Sequence, residues 1–351
     1  MKFYRTLNNK MPPLALAIGN FDGVHLGHQA ILAACRKAAS SLGFEHGGSN
    51  NNSIGPDVET KLEAAVMSFS PLPREYFARL RGDLESAPAR LMSVTEKLAA
   101  FAQHKMQHVF IPHFNKTFAS QTPLEFMSAL RNMNVKWLMV GEDFRFGGHR
   151  AGDVAMLREY GIANGFKVET MADIADADGE RISSTAVRHA LGHGDLMTAT
   201  RMLGRPYSIV GRVTHGKKLG RTLGFPTANI ALTARKPALA GVFAVKLQLV
   251  TRGLEGVVRT SAETDGAFSG VANLGTNPVV SIDNRHHLEV FLFDFPNKNS
   301  ENENLYGKRV QVTFIEKIRD EQNFAGPDAL QALVRQMHDD CDRAKTILRK
   351  A

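Results

Sequence analysis

The pattern of apolar and polar positions divides the chain into two halves of different character. In the first half, short apolar runs alternate with segments whose apolar residues recur at helical spacing. The predicted strands are 14–18, 64–69, 108–111, 137–140 and 167–171, and the predicted helices include 28–44, 93–104 and 122–133. The last two helices begin at a Ser or Thr suited to capping. This alternation predicts an α/β domain with a parallel sheet covered on both faces.

The pattern changes near Gly204. After a helix predicted over 184–204, the chain contains short β-rich runs separated by glycines, prolines and polar turns. Regular short strands without intervening helices predict a small β-barrel. Apolar residues return to helical spacing over 326–348, which predicts a final helix packed on the barrel.

The length of 351 residues agrees with two domains of roughly 150 residues each. The predicted organisation is a first domain over 1–190, a linker helix over 191–205 and a second domain over 206–351. Three polar segments rich in Gly, Asn, Ser or charge are predicted to be surface loops without chemistry, namely 45–60, 251–267 and 296–304.

The formal net charge of +8 favours anionic partners such as nucleotides or nucleic acid. A basic solvated surface explains the same charge. The cysteines, Cys35 and Cys341, form neither a disulfide framework nor a zinc spacing, which predicts a reducing cytoplasm. The N-terminal apolar run lacks a cleavage site, and no apolar stretch approaches the ~20 residues of a membrane span. Neither a signal peptide nor a membrane partner is therefore expected.

The segment 19–32, GNFDGVHLGHQAIL, places His25 and His28 between a predicted strand and a predicted helix. Such a pair could bind a metal, hold a phosphate or have no chemical role. A helix N-terminus presents unpaired N–H groups to phosphate, and Gly27 lets a phosphate approach the backbone. Imidazoles at this place can donate hydrogen bonds as charge develops on phosphate oxygens. Metal ligation would require further ligands.

The segment 181–191, RISSTAVRHAL, predicts a helix start with hydroxyl groups and Arg188 in its first turns. Hydroxyls, N–H groups and an arginine at a helix start favour an anion site. A plain capped helix with a surface arginine is the alternative interpretation.

The segment 211–230, GRVTHGKKLGRTLGFPTANI, is dense in glycine and basic residues. Its backbone N–H groups and positive charges could wrap a polyphosphate. If the following PTAN enters a strand, Thr227 and Asn229 point to one face. Two neutral oxygens on one face suit a Mg²⁺ that keeps several waters and bridges phosphates. The alternative is a basic turn followed by a barrel strand.

These segments together resemble a known family. GNFDGVHLGHQ, VGEDFRFGGHRAGD (140–153) and ISSTAVR are similar to the adenylyltransferase half of the prokaryotic bifunctional riboflavin kinase/FMN adenylyltransferases. GRVTHGKKLGRTLGFPTAN is similar to the riboflavin kinase signature of the same family. The resemblance runs from Leu14 to the terminal helix. It departs from residues common in the family at Leu72, Ala186 and Asn277.

The resemblance implies a Rossmann-like nucleotidyltransferase domain followed by a riboflavin kinase barrel. It implies ATP as co-substrate with Mg²⁺, and riboflavin and FMN as further small-molecule partners. The implied catalytic residues are Glu289, His25 and His28. The implied ATP or phosphate contacts are Gly19, Asn20, Phe21, Gly27, Ser184, Thr185, Arg188, Gly211, His215, Gly216, Gly220 and Arg221. The implied flavin contacts are Asp143, Phe144, Phe146, Gly224 and Phe225, and the implied Mg²⁺ ligands are Thr227 and Asn229.

The implied role of Glu289 is that of a base. A carboxylate on a barrel strand can accept the proton of the ribityl 5′-hydroxyl as it attacks the γ-phosphate. A surface strand glutamate is the alternative.

Two rival functions differ in class. A nucleotidyltransferase acting on another phosphate acceptor conflicts with the barrel signature. A nucleic-acid-binding protein, or a flavin sensor without catalysis, lacks a helix-turn-helix, RNP or zinc motif to support nucleic-acid binding. No nucleic-acid partner is therefore expected, and self-association does not follow from the sequence.

Overall fold

The structure is a computed structural model, and packing divides it into two compact units. It describes residues 1–7, 10–41, 43–44, 60–216, 225–232, 236–252, 258–260, 267–276, 286–293, 305–324 and 326–350. The first unit comprises Met1–Pro88 and Lys97–Arg181, and the second comprises Ala89–Glu96 and Ile182–Ala351. The functional domain bounds at residues 190 and 205 stay predictions.

Strands and helices alternate through the first part of the chain. Its elements are β1 (Lys2–Tyr4), β2 (Leu14–Ile18), α1 (Leu26–Ser41), β3 (Gly43–Phe44), β4 (Thr60–Lys61), β5 (Glu63–Met67), α2 (Pro73–Leu80), α3 (Val94–Gln103), β6 (His108–Phe110), α4 (Lys116–Ala119), α5 (Pro123–Asn132), β7 (Val135–Gly141), α6 (Val154–Asn164) and β8 (Lys167–Met171).

Six of these strands form one sheet in the order β1-β6-β5-β2-β7-β8. Every neighbouring pair is parallel, which confirms the predicted parallel sheet. From β2 the chain adds β5 and β6 on one side and then returns to add β7 and β8 on the other. In open α/β sheets ligands bind at such a reversal, beyond the carboxyl ends of the strands. The ends of β2 and β7 therefore mark the candidate crevice.

The central strand β2 is buried along its whole length, as its run of apolar residues predicts. Helix α1 covers β2 and β5, and Cys35 on α1 donates its thiol to the carbonyls of Ala15 and Ala65 at 3.1 and 3.4 Å. Burial raises the pKa of this thiol to about 12. Cys35 is thus a small core residue and not a reactive nucleophile.

The second part of the chain is predominantly β. Its elements are α7 (Ser184–Gly192), α8 (Leu196–Leu203), β9 (Ser208–Thr214), β10 (Thr227–Ala231), β11 (Gly241–Arg252), β12 (Val258–Thr260), β13 (Phe268–Thr276), β14 (His286–Leu292), β15 (Arg309–Arg319) and α9 (Ala329–Leu348). Within the described part of the chain, every helix is too short or too polar to traverse a lipid bilayer.

Six antiparallel strands close into a barrel in the order β11-β13-β14-β10-β9-β15, and β15 pairs back onto β11. The predicted barrel is therefore confirmed. On β14 the inward side chains Leu288, Val290 and Leu292 are buried. Helix α9 packs on the barrel through Ala344, which contacts a cluster containing Val242 and Ile318.

Two local predictions are wrong. The segment 184–204 forms two helices because Gly194, at φ 75°, takes a left-handed conformation that ends α7. The Asp195 side chain then accepts a hydrogen bond from Thr198 N at 2.9 Å and caps α8.

The segment 251–267 is not simply a loop, because β11 continues to Arg252 and pairs with β12. Thr60, at the end of the predicted loop 45–60, likewise belongs to a strand. The residues 45–59, 253–257, 261–266 and 296–304 lie outside the described residues.

The predicted hydroxyl caps are confirmed. Thr122 accepts a hydrogen bond from Glu125 N at 3.2 Å, and the Glu125 carboxylate accepts one from Thr122 N at 2.7 Å. Ser93 and Glu96 make the same reciprocal pair at the start of α3. Such pairs satisfy two N–H groups that a helix start otherwise leaves unbonded.

One buried ion pair joins α9 to the barrel. The Arg319 guanidinium donates to both carboxylate oxygens of Asp340, with Nη2 at 2.7 Å from Oδ2 and Nε at 2.9 Å from Oδ1. Gln336 donates to the same carboxylate at 3.0 Å. Asp340 is only 4% exposed, so this pair is desolvated.

Replacing Asp340 by Ala should lower the free energy of unfolding by about 3–5 kcal/mol, because the largely buried Arg319 charge loses its partner. Asp342→Ala is the matched control, since Asp342 faces Lys345 at 3.5 Å on the exposed side of the same helix. It should change the free energy by about 0–1 kcal/mol. Urea denaturation followed by circular dichroism measures both values. An equal loss in the two variants would contradict the assignment.

Candidate functional site

The turn after β2 opens the crevice of the first unit. Gly19 N donates to Met67 O at 3.1 Å, which continues the pairing with β5 beyond the strand end. Phe21, Gly23 and Val24 then adopt φ values of 45°, 87° and 42°. This left-handed backbone is sterically unfavourable for the two non-glycine residues. It turns the chain sharply, so that α1 begins at Leu26.

The two histidines of this turn stack on each other. The ring centroids of His25 and His28 lie 3.7 Å apart with an interplanar angle of 22°. The backbone N–H of His28 donates to Nδ1 of His25 at 3.3 Å. Because a backbone N–H can only donate, Nδ1 of His25 is the acceptor and Nε2 carries the ring hydrogen. In this arrangement the hydrogen that the His25 ring can donate is the one on Nε2.

A metal role for this pair gains no support. Among the residues that the structure describes, no three His, Cys, Asp or Glu side chains come together as a metal-binding group. A zinc site uses three or four such ligands. Two imidazoles at the start of α1 fit an anionic oxygen better, because the helix N-terminus adds N–H groups and positive potential.

Phe21 supports the histidines from the core. It is fully buried, its ring meets Phe101 edge-on at 5.6 Å and it lies 5.1 Å from the His28 ring. Gly27 lies in the first turn of α1 and is half-buried. Contacts of Phe21 and Gly27 with ATP stay predictions.

A buried cation that sequence reasoning missed lies beside this turn. Lys97 on α3 is 3% exposed, and its Nζ donates to Asn20 O at 2.7 Å and to Ser68 Oγ at 3.2 Å. A sequence signal was present, since Lys97 falls at helical spacing between Val94 and Phe101, where an apolar residue is expected.

The predicted flavin residues of the first unit follow β7. Asp143 is exposed, and Phe144 N donates to Gly141 O at 3.1 Å in a tight turn. The rings of Phe144 and Phe146 stack at 5.7 Å. Phe146 is buried in the core, and a methyl group on Gly152 would approach its ring to 2.5 Å. Phe144 is thus better placed for a ligand than Phe146, and all three flavin contacts stay predictions.

The ISSTAVR segment begins a capped helix in the second unit. Ser183 is the N-cap of α7 and accepts a hydrogen bond from Ala186 N at 3.1 Å. Ser184 and Thr185 are the first two residues of this helix. Arg188 donates through Nε to Ala89 O at 2.6 Å, so part of its guanidinium binds the backbone of the same unit. The roles of Ser184, Thr185 and Arg188 toward phosphate stay predictions.

Glu289 lies at the centre of a polar row on the outer face of the barrel. In register it faces Asn229 of β10 on one side and Asn273 of β13 on the other. Burial raises the pKa of the Glu289 carboxyl. The charge of His287 and a hydrogen bond from Thr227 act in the opposite direction. Asn273 is a further residue that the sequence did not single out, because only strand register brings it beside Glu289.

Thr227 and Asn229 share the outer face of β10, whereas Ile230 points into the barrel. The predicted strand entry of PTAN is therefore confirmed. A hydroxyl and an amide oxygen beside a carboxylate are hard ligands of the kind that Mg²⁺ binds. The donor chemistry thus fits the implied ion, and ligation by Thr227 and Asn229 stays a prediction.

The glycine-rich segment approaches the polar row from β9. A methyl group on Gly216 would overlap the Asn229 amide at 2.2 Å, so any larger residue there would displace that side chain. The His215 ring stacks on Tyr306 at 4.0 Å, and Tyr306 is another residue that the sequence did not single out.

Gly211 lies inside β9, where a methyl group would overlap Ile230 at 2.2 Å. Close strand packing accounts for this glycine, and its phosphate contact stays a prediction. The predicted residues Gly220, Arg221 and Gly224 lie outside the described residues.

Aromatic side chains continue the outer face beyond the polar row. Phe225 meets Phe291 edge-on at 5.2 Å and His338 of α9 at 4.9 Å. This places an apolar surface on one side of Glu289 and the glycine-rich segment on the other. The side chain of Phe225 is itself buried. Its contact with flavin stays a prediction.

Known families match both parts of the chain. The family model described as FAD synthetase matches residues 7–186, and the family model described as riboflavin kinase matches residues 203–348. A bifunctional riboflavin kinase/FMN adenylyltransferase of Haemophilus influenzae is 39% identical over 350 residues, which cover 98% of each chain. That of Pseudomonas fluorescens is 38% identical over 340 residues, which cover 95% of this chain and 94% of the relative.

A solved structure shares the fold over nearly the whole chain. The crystal structure titled macrolide-efflux protein from Streptococcus pneumoniae has a TM-score of 0.70 and 26% identity, and the match covers 97% of this chain and 98% of that one. The activity in that title belongs to that protein. The family models and the full-length relatives together show that this chain belongs to the bifunctional riboflavin kinase/FMN adenylyltransferase family.

Proposed function

We propose that this chain makes FAD from riboflavin in two ATP-dependent steps. The barrel phosphorylates riboflavin to FMN and releases ADP. The α/β unit then adenylylates FMN to FAD and releases pyrophosphate. The observation that carries the proposal is the half-buried Glu289, whose pKa burial raises, in register with Asn229 on a closed barrel. A nucleotidyltransferase without kinase activity does not need such a base.

In the kinase step the 5′-hydroxyl of riboflavin attacks the γ-phosphorus of ATP, and the bond to the β,γ-bridging oxygen breaks. Glu289 accepts the hydroxyl proton as the new O–P bond forms. The aromatic surface at Phe225 and Phe291 holds the isoalloxazine ring, and the segment containing His215 and Gly216 holds the phosphates. The work of the site is to position the reactants and balance their charge.

Thr227 and Asn229 would hold the Mg²⁺ that accompanies ATP. When bound, the ion would neutralise part of the charge on the phosphates of ATP. The Glu289 carboxylate, which accepts a hydrogen bond from Thr227, is held beside these two oxygen ligands. The proposed base and the proposed Mg²⁺ ligands thus lie together on the outer face of the barrel.

In the adenylylation step a phosphate oxygen of FMN attacks the α-phosphorus of ATP, and pyrophosphate leaves. His25 donates through Nε2, because its Nδ1 accepts the N–H of His28. Together with His28 it stabilises the charge that develops on the phosphate oxygens in the transition state. Ser184, Thr185 and Arg188 lie in the second unit, and their contacts with the triphosphate stay predictions.

The compartment we propose is the cytoplasm. Both cysteines are free thiols and buried, in keeping with a reducing environment. The partners are the small molecules riboflavin, FMN and ATP.

The activity is tested by incubating the protein with riboflavin, ATP and Mg²⁺ and separating the flavins by chromatography. The expected result is the appearance of FMN followed by FAD. Folded protein that forms neither product would refute the proposal.

Glu289→Gln should reduce riboflavin phosphorylation by about 10²–10⁴-fold, because the amide cannot accept the proton. Conversion of supplied FMN to FAD should continue. The control is Glu316→Gln, which changes an exposed glutamate of the same barrel and should leave both steps unchanged. Undiminished kinase activity in Glu289→Gln would contradict the assignment of the base.

The kinase should lose activity on the acid side, because the base must be ionised and burial raises the pKa of Glu289. His287 opposes this shift through its positive charge. His287→Gln should therefore raise the pKa of Glu289 further and move the acid limb of kcat/KM to higher pH. A pH profile of riboflavin phosphorylation measures the limb. An unchanged limb, or one at lower pH, would show that Glu289 does not control it.

His28→Ala should reduce FMN adenylylation by about 10²–10³-fold, as expected for the loss of one donor to a developing oxyanion. Riboflavin should still be converted to FMN, which then accumulates. His193→Ala, at an exposed position at the end of α7, is the matched control. If His28→Ala forms FAD at the rate of the control, the histidine pair has no part in the reaction.

A further inference from the structure

The buried ammonium of Lys97 holds one backbone carbonyl. Asn20 O accepts a hydrogen bond from Lys97 Nζ at 2.7 Å and another from Ser68 Oγ at 2.9 Å. Lys97 Nζ also lies 3.2 Å from Ser68 Oγ. Lys97 and Ser68 thus form a triangle of hydrogen bonds with the carbonyl of the Asn20–Phe21 peptide.

Burial of the Lys97 ammonium is energetically unfavourable. Lys97 is 3% and Ser68 0% exposed, and lysine is among the residues least often buried. Removing an ammonium from water costs several kcal/mol, which hydrogen bonds offset only in part. An apolar side chain at this helix position would complete the core without that cost. Packing alone therefore does not account for a lysine at this position.

The contacts of Lys97 lie where two parallel strands end. Asn20 follows β2 by two residues, and Ser68 directly follows β5, its neighbour in the sheet. Immediately beyond Asn20 the chain enters the left-handed turn of Phe21 and Val24. Such left-handed conformations are strained for residues other than glycine and persist where surrounding contacts hold them. The Asn20 carbonyl, held by Lys97 and Ser68, is therefore the point at which the turn is attached to the core of the unit.

We propose that Lys97 is a positioning residue for adenylyl transfer. Its ammonium and the Ser68 hydroxyl fix the Asn20 carbonyl, and this fixes the turn that presents His25 and His28. The ammonium also lies next to the first peptide of that turn, through its hydrogen bond to Asn20 O. Lys97 touches neither substrate in this account, and the inference rests on the proposed adenylyltransferase function.

The decisive variant is Lys97→Met, which keeps an unbranched side chain one atom shorter than lysine and removes the ammonium group. It should reduce kcat for FMN adenylylation by about 10–100-fold, the usual effect of losing a group that orients a reacting residue. Riboflavin phosphorylation by the same sample should stay within about twofold of wild type, since that step uses the barrel of the second unit. Lys167→Met is the matched control, because this exposed lysine pairs with Glu169 on β8 and should leave both activities unchanged.

Folding of the first unit needs its own measurement, because intact kinase activity reports only on the second. Trp137 is the single tryptophan of the chain, and it is 2% exposed on β7 of the first unit. Its fluorescence emission should match wild type in Lys97→Met. If the emission shifts to that of an exposed tryptophan, Lys97 is needed for the stability of the first unit. Ser68→Ala then decides the question. The proposal is overturned unless this variant has native emission and still lowers adenylylation.

A double-mutant cycle tests whether Lys97 and Ser68 act through the same carbonyl or stabilise the unit independently. Ser68→Ala should reduce adenylylation less than Lys97→Met does, and the double variant should be no slower than Lys97→Met alone, because both groups act through one carbonyl. Multiplicative losses would overturn the proposal, as would a Lys97→Met enzyme no slower than Lys167→Met. Wild-type protein that forms FMN but no FAD would instead refute the adenylyltransferase function itself.

Discussion

The parallel pairing of β2 between β5 and β7 is the constraint on which the first unit depends. It brings the carboxyl ends of three strands to one edge of the sheet. The turn after β2, Ser68 after β5 and the 141–146 segment after β7 therefore become neighbours in space although they are distant in sequence. Helix α1 begins at Leu26, directly after the turn that follows β2. A helix start at the carboxyl edge of an open parallel sheet is typical of sites that bind phosphorylated ligands.

In the barrel, antiparallel register brings together polar residues that are distant in sequence. Alternation along β14 directs Leu288 and Val290 inward and Glu289 outward, and closure of the six strands makes that alternation rigid. Pairing then sets Glu289 between Asn229 and Asn273. Half-burial of the carboxylate raises its pKa, which makes it a stronger proton acceptor than a solvated glutamate. The same row provides the neutral oxygens suited to Mg²⁺.

In both units, neighbouring groups set the tautomer, the pKa or the position of the polar groups in the candidate sites. The N–H of His28 selects the tautomer of His25, and Thr227 and His287 moderate the effect of burial on Glu289. Lys97 with Ser68 holds the peptide from which the histidine turn departs. In each case a neighbouring group orients a side chain or peptide of the candidate site, and electrostatic catalysis depends on polar groups oriented in this way.

The sequence by itself determined the element types, the two architectures and the motifs that carry the chemistry, because periodicity, caps and glycine spacing are local properties of the chain. Local patterns also explain the errors: apolar spacing continued through Gly194, whose left-handed backbone separates α7 from α8. Only the tertiary structure decided which side chains meet. Lys97 contacts a carbonyl 77 residues away, and Arg188 contacts one 99 residues away. Such contacts depend on strand order and register, which arise from the packing of the whole unit.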